Sequence, residues 1–560
     1  MERGEGCWVE DLLREILRCT VLEGVEVQAG SHSIGEPVLP VENLTRCGHR
    51  YYYSLKRPED VADYYVGSDD LFLLSLYRKG FLEILKRASK GGRLLRGEEI
   101  EVESPYSVVV STGPMAGWKA RIVGVVDAYF PKSGRLLLAR KLPTAIKPPR
   151  GGEGINLPRR PPEHHIDLAL LYQWLLISNG RRVDEVHILY YDRDGVPVRE
   201  YVVRSALNRN MEKLEGFEDF VRSRLITVLR GEGPMYGWDC NYCPFQDKCP
   251  YRVIPKNSEE TGEARKGVRL DTEYYEVEVW DDPRMPLASL ILRNLVELDL
   301  ERTLRREPAG RTPTTIWVTS LAYCPLKAWF SIQNPFAGTG TSLSRHIIRG
   351  KLINYAYDYL LEKLRDRECY SLLKESWRLP FKILGVNLEE YVEKVFIVDG
   401  HPYKVTGKID AHLTLEDREV IIELKAPAKA GKERKWYELQ LAAYLEIYRD
   451  KAPRRRIEGL LLEITVEEGE ETSHGRLAFH CTPYTLEELT NKILEDNRQV
   501  KESVIEHFLN EIHSIARGIP VETREDKNEQ TVRIPPVPRY SWECNFCPFR
   551  GICPYAASKR

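Results

Sequence analysis

The sequence has little that would place it in a membrane or outside a cell. Its longest mostly apolar stretch, from Leu168 to Ile177, is well short of the roughly 20 residues that a transmembrane helix needs. The N-terminus lacks the basic and then apolar pattern of a secretory leader. Twelve cysteines in 560 residues are too few for a secreted disulfide scaffold. We therefore expect a cytoplasmic protein with no membrane contact.

Two further absences narrow the function. The net charge is only -2, so any contact with nucleic acid would come from local basic patches and not from an overall positive field. No G-x4-G-K-[ST] phosphate-binding loop occurs in the chain, which argues against an ATP-driven motor. The apolar share of 42% and the charged share of 30% are those of a globular protein, long enough for several domain-sized units.

Six of the cysteines form two copies of one motif. The stretches 238–251 and 542–555 share the spacing C-x2-C-x5-C-P-Y and nine of their fourteen residues. One further cysteine lies far upstream of each triplet and precedes an aromatic run. The pattern predicts an internal duplication with one four-cysteine site in each half. These sites are Cys47, Cys240, Cys243 and Cys249 in the first half, and Cys324, Cys544, Cys547 and Cys553 in the second.

Four thiolates can hold either a [4Fe–4S] cluster or a tetrahedral zinc ion. Zinc ribbons usually pair their ligands in two short knuckles, whereas here one cysteine is distant from the other three. We therefore expect two [4Fe–4S] clusters, each joining the two ends of its half. Structural zinc and unligated core cysteines are the alternatives. The polar, turn-rich stretch 256–267 predicts a linker between a first unit at 1–255 and a second at 268–560.

Two predicted strands in the second half bring charged residues to one point. Tyr403–Asp410 alternates as a strand, and Arg418–Lys425 follows after a short polar turn, which predicts a hairpin. Glu423 and Lys425 are two residues apart and therefore share one face. Because carboxylates bind Mg²⁺ and Mn²⁺, and such ions activate water and stabilise phosphoryl charge, Asp410 with Glu423 and Lys425 predicts metal-dependent phosphodiester hydrolysis. A surface ion pair is the alternative.

A helix predicted at Trp436–Tyr444 follows the hairpin. Gln440 and Tyr444 are four residues apart and therefore lie on one helical face. The segment 429–437 before them combines basic residues with adjacent aromatics, a mixture that suits the backbone and the bases of a single strand of nucleic acid. A solvated loop is the alternative for this segment.

Together, these motifs resemble the RecB-type PD-(D/E)XK nucleases with an iron–sulfur cluster, above all the fourth numbered family of CRISPR-associated proteins. The similar elements are a Tyr-Cys-Pro opening at Cys324, Gly-x-Ile-Asp410, Glu423-Leu-Lys425, Gln440-x3-Tyr444 and the late cysteine triplet. The resemblance implies an α/β fold with a restriction-endonuclease-like PD-(D/E)XK core, helical flanks and an iron–sulfur clasp. With the repeated cysteine frame, this fold is expected twice in tandem.

The resemblance also implies roles. Asp410, Glu423 and the Leu424 carbonyl would bind Mg²⁺ or Mn²⁺, Lys425 would serve the attacking water, and Gln440 and Tyr444 would position the water or the DNA. The implied activity is 5′→3′ exonuclease action on single-stranded DNA, with trimming of DNA ends during CRISPR spacer acquisition. The implied partners are single-stranded DNA or DNA ends, CRISPR integration proteins and further copies of the chain. A DNA-repair nuclease would use the same residues.

One position departs from the family. Asn354 stands four residues after Gly350, where the family has a metal-binding histidine. An amide carbonyl is a poorer ligand, although we still count Asn354 among the metal candidates. This departure keeps open a rival interpretation, in which the chain is a non-catalytic iron–sulfur subunit that binds DNA or acts as a scaffold.

The first half carries a weaker copy of the same motifs. Ile122–Asp127 and Leu136–Lys141 are similar to the two strands of the hairpin, and counting back from Lys141 puts Ala139 at the position of Glu423. The nearest match to the helix is Asp167–Leu171, without a Gln-x3-Tyr pair. With one carboxylate missing, the first half should hold Mg²⁺ poorly. We expect it to be catalytically dead and to bind DNA or to act architecturally.

Overall fold

The structure is a computed structural model that describes most of the chain. The described residues are 8–29, 37–45, 47, 49–50, 53, 56, 60, 69–91, 99–112, 119–141, 160–192, 195–231, 243, 245, 249, 275–281, 285, 287–294, 314–322, 324–333, 345–364, 382–427, 430–431, 434–467, 476–494, 503–517, 522–525, 531–534 and 553.

The first half combines short strands with helices, and the bounds that follow are those of its described elements. Its helices are α1 (Trp8–Ala29), α2 (Asp69–Gly91), α3 (Glu163–Ser178), α4 (Met211–Leu229) and α5 (287–294). Its strands are β1 (Val38–Pro40), β2 (Glu101–Val102), β3 (Pro105–Ser111), β4 (Lys119–Val125), β5 (Ala128–Phe130), β6 (Arg135–Lys141), β7 (Glu185–Tyr191), β8 (Pro197–Ser205) and β9 (Tyr275–Asp281). A 3₁₀ turn at Val41–Thr45 follows β1.

The second half has longer strands. Its helices are α6 (Val318–Ala322), α7 (Pro325–Gln333), α8 (Arg345–Lys363), α9 (Arg434–Arg449), α10 (Leu486–Leu494) and α11 (Val504–Ala516). Its strands are β10 (Thr314–Trp317), β11 (Ile383–Val398), β12 (His401–Leu415), β13 (Arg418–Lys425), β14 (Arg456–Glu467), β15 (Arg476–Tyr484), β16 (Glu522–Glu525) and β17 (Thr531–Ile534). No helix in the described ranges is long and apolar enough to cross a membrane.

The strands pair in the same succession in both halves. In the second half, β10 runs parallel to β12, β11 and β13 are antiparallel to β12, β13 is parallel to β14, and β14 is antiparallel to β15. In the first half, β1 is parallel to β4, β3 is antiparallel to β4, β5 is antiparallel to β6, β6 is parallel to β7, and β7 is antiparallel to β8. Parallel neighbours require crossover connections: α3 connects β6 to β7, α9 connects β13 to β14, and α2 and α8 lie in the connections from β1 to β4 and from β10 to β12. The predicted mixed α/β architecture is confirmed.

Three hydrophobic cores hold these elements together. One lies between the strands of the first half, which form a three-stranded sheet (β1, β4, β3) and a six-stranded sheet (β2, β5, β6, β7, β8, β9), and α3. A second lies between the six-stranded sheet of the second half and α9. The third is shared, because it is built from α1, α2, α8 and one face of each sheet. At its centre α2 meets α8 so closely that a Cβ on Gly80 would be 2.4 Å from the Leu352 carbonyl oxygen. The two halves therefore share one buried joint.

The segment after the predicted linker belongs to the six-stranded sheet of the first half. Strand β9 is antiparallel to β8, and the N-terminus of α5 is capped from β8. The carboxylate of Glu200 on β8 accepts the backbone N–H groups of Leu287 and Ala288 at 3.1 Å, which satisfies donors that a helix cannot pair internally. The predicted start of the second unit at residue 268 therefore does not coincide with the change of sheet. Residues 256–267 lie outside the described ranges.

Candidate active site

The predicted hairpin forms, and it brings Asp410 to the strand that carries Glu423. Residues 411–414 of β12 pair with 419–422 of β13. Beyond this ladder, Asp410 Oδ2 accepts a hydrogen bond of 2.8 Å from the backbone N–H of Leu424. The bond fixes the Asp410 carboxylate beside the C-terminal end of strand β13. The Leu424 side chain packs in the shared core, on the opposite face of the strand from Glu423.

Glu423 and Lys425 form a buried ion pair at this point. The Lys425 ammonium contacts Glu423 Oε1, and only 3% of the Glu423 side chain is exposed. Burial raises the pKa of Glu423 to about 7; Asp410 adds to the rise and Lys425 opposes it. Burial would lower the pKa of Lys425, but the neighbouring carboxylates of Glu423 and Asp410 raise it overall. Without a bound cation, burial therefore disfavours the ionised form of Glu423, and a bound cation would stabilise that form.

Helix α9 covers the site with the two residues that its spacing predicted. The Tyr444 hydroxyl donates to the Lys408 carbonyl at 2.9 Å, and burial together with Glu423 and Asp410 raises the pKa of Tyr444 well above its usual range. Gln440, one turn earlier, is 1% exposed. Its Oε1 has no hydrogen-bond partner within the described part of the chain. A buried acceptor without a hydrogen-bond donor lowers the stability of the folded protein. Gln440 Oε1 is therefore available to a ligand or a water molecule.

Helix α8 forms the other wall. Tyr357 is fully buried there, and burial followed by the charge of Asp410 raises the pKa of Tyr357 well above its usual range. Asn354 lies on the same helix and is exposed. Sequence reasoning missed Tyr357, because nothing local in a helix reveals which strand it faces. Asn354 stays a predicted ligand, since no contact of its amide with Asp410 or Glu423 is described.

The arrangement can hold a divalent cation only with additional ligands. Asp410 and Glu423 supply two carboxylates, and Gln440 supplies an amide oxygen, which are the oxygen donors that Mg²⁺ and Mn²⁺ accept. No group of three or more His, Cys, Asp or Glu side chains with metal-binding geometry occurs among the residues that the structure describes. Mg²⁺ commonly keeps several waters or uses substrate phosphates as ligands, so two carboxylates fit this ion.

An equivalent carboxylate in the first half has a different partner. Asp127 Oδ2 accepts a 2.8 Å hydrogen bond from the backbone N–H of Ala139, as Asp410 does from Leu424. Asp127 is 1% exposed, and its other oxygen binds the guanidinium of Arg78 on α2 at 2.6 Å. Asp127 in turn raises the pKa of Arg78. In the first half, an internal cation therefore neutralises the carboxylate.

The hydrogen bond also corrects the predicted register. Because Ala139 corresponds to Leu424, Leu138 corresponds to Glu423, and the expectation that Ala139 does so is wrong. The bonded residues are 12 positions apart in the first half and 14 in the second, so counting back from a lysine misaligned the shorter hairpin. The predicted lack of a carboxylate still holds, since Leu138 is buried in the core beneath α3.

The two halves match at the covering helix as well. A Cβ on Gly407 would meet the Tyr444 ring at 2.5 Å and the Val318 side chain at 3.0 Å. A Cβ on Gly124, three residues before Asp127, would meet the Tyr172 ring and the Val41 side chain, both at 2.9 Å. Tyr172 on α3 is therefore the counterpart of Tyr444. Leu168, one turn earlier, stands in the place of Gln440.

The described cysteines are consistent with an early segment close to the late triplet in the first half. Cys47 is buried, Cys243 and Cys249 are half-buried, and these three are thiols and not disulfides. The ring of Tyr53 lies 5.4 Å from that of Phe245, between the late cysteines. In the second half, Cys324 begins α7 and Cys553 is half-buried. Cys481 is disulfide-bonded. The predicted ligands Cys240, Cys544 and Cys547 lie outside the described residues.

Residues 339–554 match the family model of the PD-(D/E)XK nuclease superfamily. This range includes the Asp410 hairpin and helix α9, so the second half contains a PD-(D/E)XK nuclease superfamily domain. That part of the expected fold is confirmed. No curated protein matches the chain. The crystal structure of SSO0001 is similar to 48% of this chain and to 98% of its own, with 19% identity and a TM-score of 0.30. A similarity at that TM-score informs neither the fold nor the function.

Proposed function

We propose that the protein is a metal-dependent deoxyribonuclease whose active site is built from Asp410, Glu423 and Lys425. The nuclease superfamily domain at 339–554 supports hydrolysis of phosphodiester bonds. The observation that carries the assignment is the 2.8 Å bond between Asp410 Oδ2 and the Leu424 N–H, which keeps this carboxylate next to the buried Glu423–Lys425 pair.

Asp410 and Glu423 would hold Mg²⁺ or Mn²⁺, with the Leu424 carbonyl and Asn354 as further candidate ligands. When bound, the ion lowers the pKa of a water molecule and stabilises charge on the phosphoryl oxygens. Lys425 keeps its ammonium beside the same two carboxylates, where it can orient the attacking water and offset phosphate charge. The Gln440 Oε1 can accept a hydrogen bond from that water, and the Tyr444 hydroxyl holds strand β12 by donating to the Lys408 carbonyl.

The substrate we propose is single-stranded DNA, cut from an end in the 5′→3′ direction during CRISPR spacer acquisition. The motif order of the second half and the basic, aromatic segment 429–437 support this choice. Integration proteins of the CRISPR system would then be partners. A repair nuclease outside CRISPR is the alternative, because the same residues would serve it.

The first half is, in this proposal, a degenerate tandem copy that does not cut. The repeated strand pairings, the equivalent bonds of Asp127 and Asp410, and the equivalent packing of Tyr172 and Tyr444 support the duplication. Leu138 and the Arg78 guanidinium leave no carboxylate pair for a cation. We further propose a [4Fe–4S] cluster in each half, held by the eight cysteines named above. The Tyr53–Phe245 contact supports the first of these sites, because it joins the early and late segments.

Cleavage of end-labelled DNA tests the function. We expect wild-type protein with Mn²⁺ or Mg²⁺ to degrade single-stranded DNA, and Glu423→Gln and Lys425→Met to lose about 10²–10³-fold or more in rate. Glu416→Gln, in the exposed turn of the same hairpin, is the matched control and should cut normally. Substrates blocked at the 5′ or the 3′ end report the polarity.

A non-catalytic DNA-binding subunit is the second candidate, favoured by the exposed Asn354 in place of the family histidine. Binding of single-stranded DNA with no cleavage in any divalent metal would support it and would overturn the nuclease assignment.

A further inference from the structure

One side chain of the first half binds acidic residues on both sides of the candidate active site. Arg87, on α2, donates from Nη2 to Asp358 Oδ2 on α8 at 2.9 Å. Its Nη1 lies 3.2 Å from Glu389 Oε2 on β11. Its Nε donates to Glu83 Oε1 on its own helix at 2.7 Å. Arg87 is 23% exposed and Asp358 is 10% exposed, so water screens these pairs less than it screens surface ion pairs.

The position of Glu389 makes this contact informative. Strand β11 pairs Leu388 with Ala411 and Glu390 with Ile409, so Glu389 lies directly opposite Asp410. Its φ is 51°, in the left-handed region that non-glycine residues rarely adopt. Such a conformation is strained and persists when surrounding contacts hold it. Arg87 supplies one of these contacts, and Lys408 Nζ supplies another at 2.8 Å.

The first half repeats the arrangement. Glu103 also has a φ of 51°, and it lies opposite Asp127, because its N–H donates to the Asp127 carbonyl at 3.3 Å between the β2–β5 and β3–β4 ladders. Lys79 of α2 binds Glu103 at 2.6 Å. Each half thus has a glutamate with a left-handed backbone opposite its aspartate, and in each half a cation from α2 binds that glutamate. The cation for the second site comes from the other half of the chain.

The contact to α8 points to the same site. Asp358 follows Tyr357, which is buried in the same hydrophobic cluster as Leu424, the residue whose N–H binds Asp410. Arg87 therefore links β11, which lies beside Asp410, to α8, which faces it. Metal-dependent hydrolysis is sensitive to such geometry, since a misplacement of about 1 Å can cost about 10²-fold in rate.

We propose that Arg87 is a positioning residue for the second-half active site, through which the degenerate first half fixes the geometry around Asp410. By binding Glu389 and Asp358 together, Arg87 sets the distance between β11 and α8. The inference rests on the proposed function, because Asp410 is taken as a metal ligand. The catalytic apparatus would then extend across the joint between the halves, and the first half would be needed for its function.

The test compares Glu389→Gln, Arg87→Met and the conservative Arg87→Lys with Lys86→Met. Lys86 is the matched control, since it lies on the same helix and makes a cross-half ion pair with Glu362 at 3.5 Å, but is not paired with Asp358 or Glu389. We measure Mn²⁺ affinity by titration calorimetry, kcat and KM on single-stranded DNA, and thermal unfolding, all on the full chain.

We expect Glu389→Gln and Arg87→Met to lower kcat and Mn²⁺ affinity by about tenfold or more, with KM for DNA close to wild type. Arg87→Lys should recover part of the loss, and Lys86→Met should match wild type. Each single variant removes the Arg87–Glu389 contact together with a contact of its own, Arg87–Asp358 or Lys408–Glu389. The double variant Arg87→Met/Glu389→Gln should therefore lose less than the sum of the two single losses. If Arg87→Met does not fold, Glu389→Gln still decides the matter, since it keeps the size of the side chain.

Two results would overturn the inference in distinguishable ways. If Glu389→Gln and Arg87→Lys bind Mn²⁺ and cut as wild type does, Arg87 has only a structural role and the proposed nuclease function stands. Lower thermal stability with unchanged kcat and affinity has the same meaning. If wild-type protein neither binds Mn²⁺ in a Glu423-dependent manner nor cuts DNA, the proposed function fails and the inference fails with it.

Discussion

Leu138 occupies in the first half the position that Glu423 occupies in the second. The correspondence follows from the hydrogen bonds of Asp127 and Asp410, each of which accepts the N–H of the residue after that position. Leu138 completes an apolar core beneath α3, whereas Glu423 is a buried carboxyl group beside the ammonium of Lys425. The first half therefore has a leucine and an internal guanidinium beside its aspartate, whereas the second half has a second buried carboxyl group there, whose charged form burial disfavours.

The first prediction concerns Asp127. Asp127→Asn should leave DNA cleavage by the folded protein unchanged, because Arg78 and not a metal neutralises this carboxylate. It should lower the free energy of unfolding by about 2 kcal/mol, less than for a fully buried pair, since Arg78 is 36% exposed. Urea denaturation and cleavage assays check the two effects. Asp410→Asn is the control and should abolish cleavage; loss of hydrolysis in well-folded Asp127→Asn would mean that the dead half is misassigned.

The second prediction concerns pH. In the metal-free protein, burial raises the pKa of Glu423 from its ordinary value of 4.5 to about 7, so the carboxyl group keeps its proton to about pH 7. Between these values the folded state binds more protons than the unfolded state, so stability falls as pH rises, by at most about 1.4 kcal/mol per pH unit. Glu423→Gln removes this slope and should be more stable than wild type at pH 8. Thermal unfolding in EDTA at pH 5 and pH 8 measures it, and identical pH profiles would contradict the prediction.

The third prediction separates activity from stability at α9. Gln440→Leu removes a buried acceptor without a described partner, so stability should stay equal or rise, while cleavage falls by about tenfold or more. Gln173→Leu on α3 is the contrasting control. Its amide donates to the Val183 carbonyl at 2.9 Å and accepts from the Ser205 hydroxyl at 2.7 Å, so its loss should cost about 1–3 kcal/mol with no change in rate. A stable, fully active Gln440→Leu would remove Gln440 from the site.

The fourth prediction concerns the cysteines. Anaerobically purified protein should be brown and contain about eight iron atoms per chain, as two [4Fe–4S] clusters require. Cys47→Ser and Cys324→Ser should each remove about half of the iron and half of the absorption near about 400 nm. Metal analysis and visible spectroscopy provide the measurement. A colourless protein with stoichiometric zinc would support the zinc alternative instead.

The sequence could predict the active hairpin and its helix, because a period of two across Glu423 and Lys425 and a period of four across Gln440 and Tyr444 are local signals. It could not predict the contacts that distinguish the halves. Arg78 is 49 residues from Asp127 and Arg87 is 271 from Asp358, and no periodicity reports such distances. The left-handed backbone at Glu389 could not be predicted either, because the position is not occupied by glycine, the residue that usually indicates this conformation. The register of the first hairpin was missed because a shorter turn shifts every later position.

At residue 80, α2 lies against the backbone of α8 with no space for a methyl group. Glycine alone permits this seam, and the hydrophobic cluster around it takes side chains from both halves. A gene divided at the linker would thus produce two fragments, each presenting half of an apolar interior to water. A single polypeptide supplies the two sides of this interface in equal number, a balance that separate genes would have to achieve by regulated synthesis.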